Sequence, residues 1–371
     1  MDFTGLLKIM TSKGASDLFI TAGVAPSIKV HGKLETVTQT MLGPAQAREV
    51  VLSIMTEKQR REFELNHECN FSFSAPGLGR FRVSAFYQRN HAGMVLRRIE
   101  TKIPTIEQLH LPLILQELVM TKRGLILMVG ATGCGKSTSL AAMIGYRNHN
   151  SSGHIISLED PIEFVHQHAG CIVTQREVGI DTDSYEIGLK NTLRQAPDVI
   201  LIGEVRCRET MNYAIAFAET GHLCLATLHA NNANQALDRI INFFPEDRRG
   251  QLLMDLSLNL KAVVAQQLVP CSDGSGRRVA VEILINTPFA ADLIHKGAVY
   301  ELKDLMKRST ELGMQTFDQA LLALYKEGEI GYDDAIHYAD SANDLRLLIK
   351  LDKDGPGQFD EVIGEMRLLD N

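Results

Sequence analysis

Two hydrophobic rhythms divide the chain. In the first hundred residues apolar and polar positions mostly alternate. At 80–86, Arg-Phe-Arg-Val-Ser-Ala-Phe, the period is two, as in a half-buried strand. Further strands are expected at 17–21, 27–31, 67–73 and 94–99, and helices over 3–13, 44–54 and 56–65. This is the pattern of a small α+β module over 1–100. Residues 101–112 hold two prolines and read as a linker.

From 124 onward alternation gives way to largely apolar runs, continuous at 124–129, with similar runs at 155–158, 199–202, 223–227 and 263–268. Such runs belong to strands covered on both faces, and the helical patterns between them imply a doubly wound, mostly parallel sheet. Helices are expected over 288–295, 299–307, 316–327 and 332–348. A second domain is therefore assigned to 113–353, followed by a tail at 354–371 with an amphipathic segment at 359–369. The acidic excess of that tail fits a solvated end or a partner-docking segment.

Composition narrows the function classes. With 371 residues, 45% of them hydrophobic and 22% charged, the chain can bury a sizeable core without staples. The net charge of −7 opposes simple docking to nucleic acid or to anionic lipid. The six cysteines are dispersed, with no C-x-x-C pair, which removes a zinc ribbon and points to a reducing compartment. No apolar run approaches the ~20 residues of a membrane span, and the first five residues lack a signal pattern. A cytoplasmic protein is expected, reaching any membrane through partners.

The chemistry begins at Gly130-Ala131-Thr132-Gly133-Cys134-Gly135-Lys136-Ser137, followed by Thr138. It fits G-x-x-x-x-G-K-[ST] and lies between an apolar strand and a helical pattern, the context the motif requires. Glycines let backbone N–H groups converge on an anion, and the helix N-terminus adds its dipole. Lys136 can reach the β- and γ-phosphates of ATP, and Ser137 can ligate Mg²⁺. Cys134 is either a small filler or a thiol activated by the helix terminus.

A phosphate-loop enzyme also needs a carboxylate at a strand end. Asp198-Val-Ile-Leu-Ile-Gly-Glu204 supplies one, so Glu204 is the second Mg²⁺ candidate, while Asp198 is expected to cap or pair locally. A second acidic turn, Glu159-Asp160-Pro161-Ile162-Glu163, follows the strand at 155–158. One of its carboxylates could take a proton from attacking water, but spacing does not rank the three. His222 and His229 flank an apolar strand, roughly 23 Å apart at 3.3 Å per residue, too far to share one metal. His229 lies at the end where ligands bind such sheets. His222 lies at the other.

Together, Gly130–Ser137, Glu159–Glu163, Gln175–Val178, Asp198–Glu204 and Thr220–His229 resemble the secretion-superfamily ATPases, and within them the PilT/PilU retraction motors of type IV pili. Ala15–Leu18, Pro26–Gly32 and Arg80–Phe86 extend the resemblance to the amino-terminal region. The resemblance implies a PAS-like amino-terminal domain, a RecA-like P-loop ATPase domain and a homohexameric ring. It aligns Glu163 with the family's catalytic glutamate, Glu204 with the Walker B glutamate, and His222 and His229 with the His box. It also implies arginines that complete the site from the amino-terminal domain or a neighbouring subunit, for which Arg80, Arg82, Arg97, Arg194 and Arg206 are the candidates.

Two departures matter. A helix like Ala-Ile-Arg-Asn-Leu-Ile is replaced by Phe289-Ala-Ala-Asp-Leu-Ile-His295, without its arginine, and the sequence runs on to Asn371. Both features look more like the accessory, PilU-type members, which act beside a PilT-type paralogue on an inner-membrane platform protein. The tetracysteine site of the assembly motors is absent. An assembly or secretion ATPase of the same superfamily is the main alternative, ahead of a DNA-translocating ring and a non-hydrolysing scaffold.

Overall fold

The computed structural model describes residues 2–30, 32–99 and 102–354. The tail expected over 354–371 therefore lies outside the described residues from 355 on, including its helix at 359–369. The chain divides into two compact units, one of residues 1–102 with 162–165, the other of 103–161 with the residues from 166 onward.

The first unit opens with α1 (Phe3–Ser12), whose free N–H groups are capped by Asp2 through Gly5 N. Strands β1 (Asp17–Ile20), β2 (Ser27–Val30) and β3 (Lys33–Thr36) follow, then α2 (Pro44–Ser53) and α3 (Glu57–Asn66). The long strands β4 (Glu68–Ala75), β5 (Gly79–Gln88) and β6 (His91–Arg98) complete a six-stranded antiparallel sheet, ordered β3-β2-β1-β6-β5-β4. Leu6, Met10, Leu18, Phe63, Phe81 and Met94 anchor its core. β5 and β6 run further than their apolar residues suggest. Arg89 and Asn90 both take positive φ, 47° and 63°, and so make the kind of two-residue turn that twists with the strands.

The second unit begins with the short helix α4 (Ile114–Val119) and the wholly buried β7 (Gly124–Val129). There follow α5 (Lys136–Asn150), β8 (Gly153–Glu159), β9 (Cys171–Glu177), α6 (Tyr185–Thr192), β10 (Val199–Ile202), α7 (Arg208–Glu219) and β11 (Leu223–Leu228). Next come α8 (Ala233–Asn242), α9 (Glu246–Asn259), β12 (Leu260–Pro270) and β13 (Arg277–Ile285). The seven strands are ordered β13-β12-β7-β11-β10-β8-β9, and all neighbours are parallel except β12 and β13. Helices cover both faces: Leu125, Leu127 and Val129 of β7 enter one core, and Ile126 and Met128 enter the other. This double burial is why the strand reads as an unbroken apolar run.

The unit closes with α10 (Pro288–His295), α11 (Leu302–Arg308), α12 (Phe317–Lys326), α13 (Tyr332–Tyr338) and α14 (Ala342–Asp354). The single helix expected over 332–348 is broken at Ala339–Ser341. Asp318 on α12 accepts the backbone N–H of Asp340 at 2.8 Å, and Gln267 donates to the carbonyl of Tyr338 at 3.0 Å. Tertiary partners thus take the backbone groups that a continuous helix would have used. Edge strand β9 escaped the apolar pattern because it is polar from Thr174 onward, and in edge strand β13 Glu282 splits the apolar run.

Candidate active site

The phosphate loop springs from the carboxyl end of β7 and runs into α5. Gly130, Gly133 and Gly135 take φ of 152°, 78° and 89°, values that favour glycine. Two of these glycines are also required by space. A Cβ on Gly130 would come within 2.4 Å of Cys134 Sγ, and one on Gly135 within 2.8 Å of Gln266 Nε2. The 15-residue α5 starts with no side-chain cap on its first N–H groups, the arrangement that accepts an anion. Lys136 is buried, and its Nζ donates to the carbonyls of Gly130 and Ala131, each at 2.8 Å. Ser137 and Thr138 follow on the first turn, half-buried. The cradle therefore fits the phosphates of a nucleotide. A hydroxyl and a carboxylate beside phosphate oxygens form the hard, all-oxygen set that suits Mg²⁺.

Cys134 is a filler. It is 7% exposed, occupies the space left by the missing side chain of Gly130, and its Sγ lies 3.8 Å from Lys136 Nζ.

The carboxylate edge is built by sheet order. β10 lies two strands from β7, about 10 Å away, with β11 between them. Glu204 follows β10 and His229 follows β11, so the two meet: His229 Nε2 lies 3.2 Å from Glu204 Oε1. Arg206 Nε donates to the other oxygen of Glu204 at 2.6 Å, and its Nη1 lies 3.6 Å from Asp160 Oδ2. The bond to Glu204 raises the pKa of Arg206 further. Below this row sits Tyr185, whose hydroxyl is pushed above its ordinary range by burial and by the nearby charge of Asp160. Gly203 leaves room for it, since a Cβ there would come 2.9 Å from the Tyr185 hydroxyl.

Comparison with known proteins fixes the lineage. Residues 4–322 match the family described as Type II/IV secretion system protein. The chain is 74% identical over 351 residues to the type IV pilus ATPase PilU of Pseudomonas aeruginosa, covering 95% of this chain and 92% of that protein. It belongs to the type II/IV secretion system protein family, among the PilT/PilU-type pilus ATPases. The type IV pilus retraction ATPase PilT of the same organism is 41% identical over 335 residues, which are 90% of this chain and 97% of that one. A crystal structure of the pilus retraction motor PilT with bound ADP superposes with a TM-score of 0.87 at 39% identity, covering 93% of this chain and 99% of that one. The fold is a RecA-like ATPase domain with a parallel-sheet core, preceded by an amino-terminal domain.

Within this family frame the other expected residues fall into separate places. Asp198 does act locally: its Oδ2 accepts the backbone N–H of His154 at 2.8 Å. Glu159 accepts from Ser157 Oγ at 2.6 Å and from Gln175 Nε2 at 3.2 Å, so it is engaged within the sheet. Glu163 is exposed and belongs to the segment 162–165 that groups with the first unit. His222 stands at the start of β11, its Nδ1 3.0 Å from Thr220 Oγ1, at the opposite strand end from His229. Arg97 pairs with the buried Asp17 at 2.8 Å, and Arg82 lies opposite it across β5 and β6. Arg80 shares β5 with Arg82. Arg194 is exposed, in the turn after α6. Of the arginine candidates, Arg206 is the one that the second unit's own geometry joins to Glu204.

Two residues escaped the sequence reading, Tyr185 and Gln266. Gln266 carried a signal, since Gln266 and Gln267 interrupt the apolar run of β12, and a buried amide in a central strand must have partners. Its Nε2 donates to the carbonyl of Cys134 at 2.6 Å, and its Oε1 accepts from Ser139 Oγ at 2.7 Å.

Proposed function

We propose that the chain is an accessory motor ATPase of type IV pilus retraction, which hydrolyses ATP and works beside a PilT-type paralogue. The observation that carries this reading is the phosphate cradle on the strand edge where Glu204 meets His229, in a chain so close to PilU. Lys136 and the N–H groups of Gly130–Thr138 hold the phosphates. A phosphate oxygen can replace the loop carbonyls as the partner of the Lys136 ammonium. Ser137 and Glu204 would hold Mg²⁺, which as a Lewis acid neutralises phosphate charge when bound. Glu163 takes the proton of the attacking water. His229, in contact with Glu204, reports on the γ-phosphate, and His222 serves at a structural or subunit contact. Arg80, Arg82, Arg97 and Arg194 supply positive charge to the nucleotide, in their own subunit or a neighbour's.

The work is delivered by a homohexamer in which an amino-terminal domain over 1–100 and an ATPase domain over 113–353 move about the segment 101–112. The ring sits in the cytoplasm, peripheral at the inner membrane, against the pilus platform protein. Among the described residues no helix is long and apolar enough to cross a membrane, so the platform would supply the membrane-spanning part. A deletion strain tests the reading. Loss of the gene is expected to weaken pilus retraction where the paralogue is present. Unchanged retraction, or full retraction driven by this chain without the paralogue, contradicts the accessory role.

A further inference from the structure

The loop's shape depends on a residue far away in sequence. Gln266 lies on β12, the strand that runs beside β7, and is 3% exposed. Both ends of its side-chain amide are used: the nitrogen donates to the Cys134 carbonyl and the oxygen accepts from Ser139 on α5. The two partners fix which way the amide points. A flipped amide would set its oxygen against the Cys134 carbonyl, two acceptors face to face.

The peptide linking Cys134 to Gly135 is planar and trans, so its C=O and N–H point in opposite directions. Drawing the Cys134 carbonyl toward the Gln266 amide therefore turns the Gly135 N–H away from it. The loop is packed tightly enough to enforce this. A Cβ on Gly135 would meet Gln266 Nε2, and one on Gly130 would meet the Gln266 carbonyl oxygen at 2.5 Å. The next residue, Gln267, points to the other side of the strand, where its Nε2 donates to the Tyr338 carbonyl at the end of α13.

We propose that Gln266 is a positioning residue of the phosphate loop: its oriented amide turns the peptide between Cys134 and Gly135 so that an N–H faces the nucleotide phosphates. This rests on the function proposed above. Because that N–H binds substrate and product phosphates alike, its loss reads as weaker binding rather than as a slower chemical step.

The test uses the full chain and ADP as the probe, with steady-state ATP hydrolysis alongside. Q266M keeps the length of the side chain and removes both hydrogen bonds. It is expected to weaken ADP about tenfold or more, in the range of a hydrogen bond to a charged group, and to raise KM for ATP with kcat within about threefold. S139A removes only the hydroxyl that orients the amide and is expected to weaken ADP about threefold; it carries the test alone if Q266M does not fold. Wild-type ADP affinity in folded Q266M, or in S139A where that is the variant available, overturns the proposal. A fall in kcat with unchanged ADP affinity overturns it too. Failure of the wild-type chain to bind ADP would instead contradict the proposed function itself.

Discussion

Glu204 is held from both sides, by Arg206 at 2.6 Å on one oxygen and by His229 at 3.2 Å on the other. These two partners set its orientation, as its proposed role at a reacting centre requires. R206Q removes the stronger constraint. It is expected to lower kcat about tenfold or more, the worth of a hydrogen bond to a charged group, with KM for ATP within about threefold. Steady-state kinetics decide between two roles, because a rise in KM at unchanged kcat would make Arg206 a nucleotide contact instead. At this scale motif spacing put Lys136 and Ser137 at the start of a helix and Glu204 just past a strand, where they lie, and their chemical roles belong to the proposed function. It was unreadable where partners lie far apart in the chain. Nothing local pairs Gln266 with Cys134, and only the adjacency of β12 and β7 does so.

Among elements, α8 carries the chain away from His229, and its start is fixed by a buried charge. Glu282 on β13 has a fully buried side chain and accepts the N–H of Ala233, the first residue of α8, at 2.8 Å. Lys303 on α11 reaches Glu282 at 2.6 Å and also contacts Asp340 at the break between α13 and α14. Burial raises the pKa of Glu282, and Lys303 opposes that rise. A buried carboxylate stripped of its cation is costly, by about 3–5 kcal/mol. K303M is therefore expected to lose stability of that order in urea unfolding, and E282L/K303M to recover more than half of it. A loss below about 1 kcal/mol in K303M would show that the pair is dispensable. The central strands were legible because burial on both faces leaves an apolar run. β9, β13 and the break after Tyr338 were not, since each depends on what packs against it.

For the whole molecule, alternating patterning occupies the first hundred residues and the largely apolar runs begin at 124, while the first compact unit ends at 102. The return of 162–165 to that unit was invisible in the sequence, because a short loop's membership depends on its contacts. The acidic loop thus divides its carboxylates, Asp160 lying with Arg206 in the second unit and Glu163 with the first. Everything assigned to these groups depends on the cradle at Gly130–Thr138 binding and splitting a nucleotide triphosphate. The most direct measurement is phosphate release from ATP by the purified full chain with Mg²⁺, beside K136A. The account predicts turnover by the wild-type chain that K136A abolishes, with nucleotide binding weakened in the variant. Equal turnover in both, or neither binding nor hydrolysis by the folded wild-type chain, would contradict it.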